Sequence, residues 1–89
     1  MHIYTILLDY AGGTYIAQTR ATDERAAVRD WLEMLKLERA AGAISEEVAA
    51  SFDGGVAEPT PLDGLTSTWC VTASASQGLA LVNIVKTAS

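Results

Sequence analysis

Residues 2–21 read HIYTILLDYAGGTYIAQTRA, two β-rich runs around Ala11-Gly12-Gly13. In the first run Tyr4, Ile6, Leu8 and Tyr10 fall on one face, and Ile3, Thr5, Leu7 and Asp9 on the other. In the second, Tyr15, Ala17, Thr19 and Ala21 alternate with Thr14, Ile16, Gln18 and Arg20. The Ala-Gly-Gly tripeptide supplies the φ > 0 positions of a tight turn. The pattern predicts a β-hairpin over 2–10 and 14–21, the strongest signal in this half of the chain.

Beyond the hairpin the period changes at Thr22-Asp23, either of which suits an N-cap. Asp23 and Glu24 match the positive end of a helix dipole. Ala27, Val28, Trp31 and Leu35 then recur at helical spacing, joined by Leu32 and Met34, while Arg29 and Glu33 form an i,i+4 pair on the wet side. A helix over about 24–41 is predicted, with Gly42 at C′. A shorter helix follows, capped by Ser45, with Glu46 and Glu47 in its first turn, Val48 and Phe52 facing the core, and Gly54-Gly55 as its stop. Residues 56–65 hold both prolines and read as a connecting loop.

Two further β-rich runs complete the chain. Over 66–75, Trp69, Val71, Ala73 and Ala75 alternate with Thr68, Cys70, Thr72 and Ser74. Ser76-Gln77-Gly78 is a turn. Over 79–87 both faces are apolar, Leu79, Leu81 and Val85 against Ala80, Val82 and Ile84, as in a strand buried on both sides. The expected fold is α+β, ββα(α)ββ: one domain over 1–89, with a four-stranded, mostly antiparallel sheet, its last strand central. One long and one short helix cover one face. The pattern leaves strand order open.

Composition narrows the function classes. Of 89 residues, 49% are apolar and 19% charged, too apolar for a disordered chain. A net charge of −5 argues against a general nucleic-acid surface, which needs clustered Lys and Arg. No run approaches the roughly 20 apolar residues of a membrane-spanning helix. The first ten residues lack the basic start and cleavage site of a secretory signal, and a lone Cys70 excludes an internal disulfide. A reducing cytoplasm is the expected location.

The charge is unevenly placed. Residues 23–63 carry ten acids and four bases, whereas the rest of the chain has only Asp9, Arg20 and Lys86. The strands are therefore nearly uncharged on both faces, although a solvated sheet face normally carries Lys, Glu and Arg. Two readings follow: a solvated face of small polar residues, or a face or edge that pairs with a second copy or another protein. The second predicts a self-associating interaction module, most simply a homodimer. Its contact candidates are Tyr15, Ile16, Trp69, Val71 and Asn83. Asn83, polar in the most apolar strand, either bonds a neighbouring loop or reaches across an interface.

Catalytic chemistry finds little support. Cys70 needs a base or a helix N-terminus to act as a nucleophile, and the only histidine is His2. A lone Cys and a lone His fall short of a four-ligand zinc site. Gly12-Gly13 leads into a strand, so it forms neither a P-loop nor a dinucleotide fingerprint. Asp9 reads as a turn-flanking acid, Glu46-Glu47 as dipole complements, and Trp31 and Trp69 as packing anchors, Trp69 with an interface role as its alternative. No catalytic residue, metal or cofactor is expected.

The blocks ILLDYAGGTYIAQTRA at 6–21, TWC at 68–70 and NIVKT at 83–87 resemble a group of small bacterial proteins of uncharacterised role. Those chains share the Gly-Gly hairpin, the Trp-bearing helix and the Trp-Cys strand, and the likeness implies no chemistry. Residues 3–35 are also similar to HicB-type antitoxins, in which a strand pair leads into an Ala-rich helix. These 89 residues lack that family's Pro-Gly-Cys segment and DNA-binding domain. That resemblance implies an antitoxin role, and the acidity of helices 23–53 gives the matching alternative, an antitoxin or immunity-like neutraliser that masks a basic partner. Another is a small-ligand-binding protein or enzyme with a site near Tyr4, Tyr10 and Cys70.

Overall fold

The computed structural model describes residues 1–52 and 58–88. The hairpin forms as expected: β1 (His2–Tyr10) pairs antiparallel with β2 (Gly13–Ala21), from His2↔Ala21 to Tyr10↔Gly13. The turn is Ala11-Gly12 alone, with φ of 51° and 81°, the double positive φ of a type I′ hairpin. Gly13 therefore opens β2 rather than serving the turn. A Cβ there would fall 2.9 Å from the Tyr15 hydroxyl oxygen, so Gly13 makes room for the Tyr15 side chain.

Helix α1 (Glu24–Glu38) is capped by Asp23, whose carboxylate accepts the Ala26 N–H at 2.8 Å. It ends three residues earlier than the spacing predicts. Arg39 takes the left-handed conformation at φ 51°, and its N–H, like that of Ala40, reaches the Met34 carbonyl. Gly42, at φ 65°, instead opens a 3-10 turn (Gly42–Ile44) leading into α2 (Ser45–Ser51). Ser45 is not the expected cap of that helix. It is buried, and its hydroxyl accepts the Ala41 N–H at 2.9 Å, tying the end of the connection to α2. The expected stop at Gly54-Gly55 lies outside the described residues; α2 ends at Ser51 with Phe52 as its cap.

The sheet has five strands rather than four. Within the expected loop, β3 (Thr60–Pro61) pairs with β4 (Thr68–Ala75) through Thr60↔Cys70 and Pro61↔Trp69. Two residues are too few to show a period, and Pro61 is tolerated because β3 is an edge strand. β4 joins β5 (Gly78–Ala88) through the two-residue turn Ser76-Gln77. The order is β2-β1-β5-β4-β3, with every neighbouring pair antiparallel and β5 central.

Both helices lie on one face of this sheet. Ile6, Leu8, Val82 and Ile84 are fully buried beneath Ala27, Val28, Trp31 and Leu35 of α1 and Val48 of α2. α1 lies mainly over β2 and α2 over β4. Trp31 meets Phe52 edge-on at 6.1 Å, and Trp69 tilts against Tyr4 at the same distance. Among the described residues no helix is long and apolar enough to cross a membrane.

Candidate interaction surface

The period of two that sends Ile6 and Leu8 into the core sends Thr5, Leu7 and Asp9 to the opposite face. Strand pairing sets these residues in rows. Ile16, Leu7, Asn83 and Cys70 form the middle row, across β2, β1, β5 and β4. On one side lie Gln18, Thr5, Val85 and Thr68, and on the other Thr14, Asp9, Leu81 and Thr72. The hydrophobic core contains none of these side chains, because no helix among the described residues packs on this face. Ile16 is 64% exposed and Leu79, beyond the last row, 61%.

Polar groups towards the ends of this open face satisfy one another. The Thr14 hydroxyl donates to Asp9 at 2.7 Å; Gln18 Nε2 donates to the Thr5 hydroxyl at 2.9 Å, and Thr5 also bonds Thr87. The middle differs. The Asn83 amide makes no hydrogen bond within the described chain, so its bond to a neighbouring loop is not formed. Asn83 is half-buried, and its amide stays open to solvent beside Leu7.

The five contact candidates divide between the faces. Ile16 and Asn83 lie on the open face. Tyr15 and Trp69 are half-buried against the core on the covered face, and Val71 is 5% exposed within that core. Residue type points to the aromatic side chains rather than to Leu7, Leu81 and Val85; alternation sorts each strand into two faces without deciding which face the helices cover. The same division dismantles the small-ligand constellation. Tyr4 and Tyr10 are buried under the helices, whereas Cys70 sits on the other side of the sheet. His2 shares the Tyr4 face, so it is no base for Cys70; its Nδ1 is buried without a hydrogen-bond partner.

One polar knot lies at the covered end of the sheet. The Glu47 carboxylate accepts from the Tyr10 hydroxyl at 2.5 Å, from Ser76 at 2.8 Å and from Gln77 Nε2 at 3.1 Å. The Tyr10 oxygen in turn accepts the Gln77 N–H at 2.7 Å. These donors, Tyr10 first, hold the Glu47 carboxyl below its usual range. The knot ties α2 to β1 and to the β4–β5 turn, a structural use of an acid expected only to complement the helix dipole. At the other end of β1, burial raises the Tyr4 hydroxyl, with the Glu24 and Asp23 charges adding to it. Among the described residues no group of three or more His, Cys, Asp or Glu side chains converges to hold a metal ion.

No protein-family model matches the chain, and neither the curated proteins nor the solved structures contain a match.

Proposed function

We propose that this chain is a non-catalytic interaction module of the cytoplasm that self-associates as a homodimer through the open face of its sheet. The observation that carries the reading is the middle of that face, where Leu7, Leu81 and Val85 flank the Asn83 amide, Ile16 adjoins Leu7, and no helix of the described residues covers them. A one-sided antiparallel sheet ordinarily gives its outer face to polar and charged residues. Four strands at about 4.8 Å spacing and about 27 Å long present roughly 500 Å² in projection. Packed side chains raise the accessible area above that projection, towards the lower range of specific interfaces. A reducing compartment keeps Cys70, on this face, as a thiol.

Sedimentation velocity across a dilution series tests the reading. The wild-type chain is expected to dimerise, and the Ile16→Lys/Leu81→Lys variant to remain monomeric with an unchanged circular-dichroism spectrum. A wild-type chain still monomeric at about 100 μM, where even weak specific contacts associate, would end it.

A further inference from the structure

The open face carries two charges in its strands, and their placement is self-complementary. Asp9 sits on β1 opposite Thr14, near the hairpin turn; Arg20 sits on β2 opposite Ile3, at the far end of the same strand pair. Both are exposed, and neither has an ion-pair partner in the described chain. The helical side differs, since residues 23–63 carry ten acids against four bases, so two copies approaching by their helices meet like charge. The open face sums to zero.

We infer that the second copy docks face to face about a two-fold axis that lies between the sheets, across the strands, at the level of Ile6, midway between Asp9 and the Ile3–Arg20 pair, and that reciprocal Asp9–Arg20 pairs set this orientation. The inference rests on the self-association proposed above. Such an axis exchanges the two ends of each strand while keeping β1 and β2 over the same two strands of the other copy. Asp9 then faces the partner's Arg20, and Arg20 faces the partner's Asp9, so one isologous contact forms two ion pairs. Sheets stack about 10 Å apart, a gap that an extended arginine and a short aspartate close together. Near the axis the Asn83 amide meets the partner's Asn83, giving each unbonded amide a donor and an acceptor. A two-fold along the strands instead leaves each Asp9 over β4 or β5, among hydroxyl and aliphatic side chains.

Complementary charge reversals test the orientation separately from the association. Asp9→Lys alone and Arg20→Glu alone each turn both attractive pairs into repulsive ones. Each is expected to raise the dimer dissociation constant roughly tenfold. Mixed in equal amounts, the two variants regain two attractive pairs, Lys with Glu and Asp with Arg, and native mass spectrometry is expected to show mainly the heterodimer. If the wild type dimerises while the single variants dimerise as well and the mixture is statistical, the orientation is overturned and the association stands. If the wild type is monomeric, the association itself fails. Asp9→Lys also loses the Thr14 hydrogen bond, so thermal melts accompany each measurement. Should that variant melt, Asp9→Asn keeps an acceptor for Thr14 and is expected to weaken the dimer about threefold. An Asp9→Asn dimer as tight as the wild type overturns the orientation.

Discussion

Leu7 and Leu8 are neighbours of one residue type on one strand, yet Leu8 is fully buried and Leu7 is left half-covered. The whole sheet repeats this contrast. On one face Ile6, Leu8, Val82 and Ile84 disappear beneath two helices; on the other Leu7, Ile16, Leu81 and Val85 lie outside that core. Hydrophobicity alone therefore does not mark this core. The helices do, by supplying a second layer to one face only. The outer face keeps an aliphatic group, Leu7, Ile16, Leu81 and Val85, set among Thr, Gln, Asn and Asp side chains.

The contrast breaks if equal truncations cost the same on both faces. Ile6→Ala leaves a cavity in a fully packed site and is expected to lower unfolding stability by about 2–5 kcal/mol. Ile16→Ala removes an exposed side chain and should cost the monomer less than about 1 kcal/mol, chiefly in strand propensity. Urea melts of dilute protein measure both, and similar values would erase the distinction. Next in size is Tyr10→Phe, which strips the Glu47 knot of its shortest hydrogen bond and leaves the Gln77 N–H without its acceptor. It is expected to cost about 1–2 kcal/mol with no change in association, because the knot lies at the covered end.

The same knot makes a pH prediction. The folded Glu47 carboxyl is held below its ordinary value, so its contribution is fully present above the unfolded pKa. It is lost as pH falls through the lowered folded value. Wild type and Glu47→Gln should therefore differ in melting temperature near neutrality and converge in acid. A gap that persists below the carboxylate range would remove the charge from the explanation. On the open face, Asn83→Leu should leave dilute-protein stability nearly unchanged while altering dimer affinity several-fold. Unchanged affinity would place Asn83 outside the interface. The smallest effect belongs to Ala11→Asn, which puts a residue tolerant of positive φ where Ala now stands at 51°. A gain of about 0.5 kcal/mol in urea melts, with association unaffected, would show that hairpin stability and the open face are independent.

Much of this contrast is legible in the chain itself. The alternation in 2–10 and 14–21 separates the two faces correctly, and the doubly apolar run 79–87 is the central strand. The Asp23 cap and the Val28–Trp31–Leu35 stripe mark the long helix. Where sequence and structure part, the signal is short or shared. β3 is two residues long. Ser45 suits an N-cap by type but spends its hydroxyl on Ala41. Gly42 has its positive φ, but Arg39 ends the helix first. Among the contact candidates, aromatic side chains drew attention to Tyr15 and Trp69, which pack inward.

Local chemistry, then, accounts for the elements: period two makes strands, period three to four makes helices, and positive φ at Ala11 and Gly12 reverses the chain. It also accounts for the scarcity of charge on the strands and its excess between residues 23 and 63. Which face of the sheet becomes the core is another matter, because both are apolar enough to serve. Only the packing of α1 and α2 chooses, burying the face with Tyr4, Ile6, Leu8, Val82 and Ile84 and leaving the row through Ile16, Leu7 and Asn83 uncovered. Strand order and the Glu47 knot arise at the same level. Each depends on residues far apart in the chain being brought together, and no local periodicity encodes that.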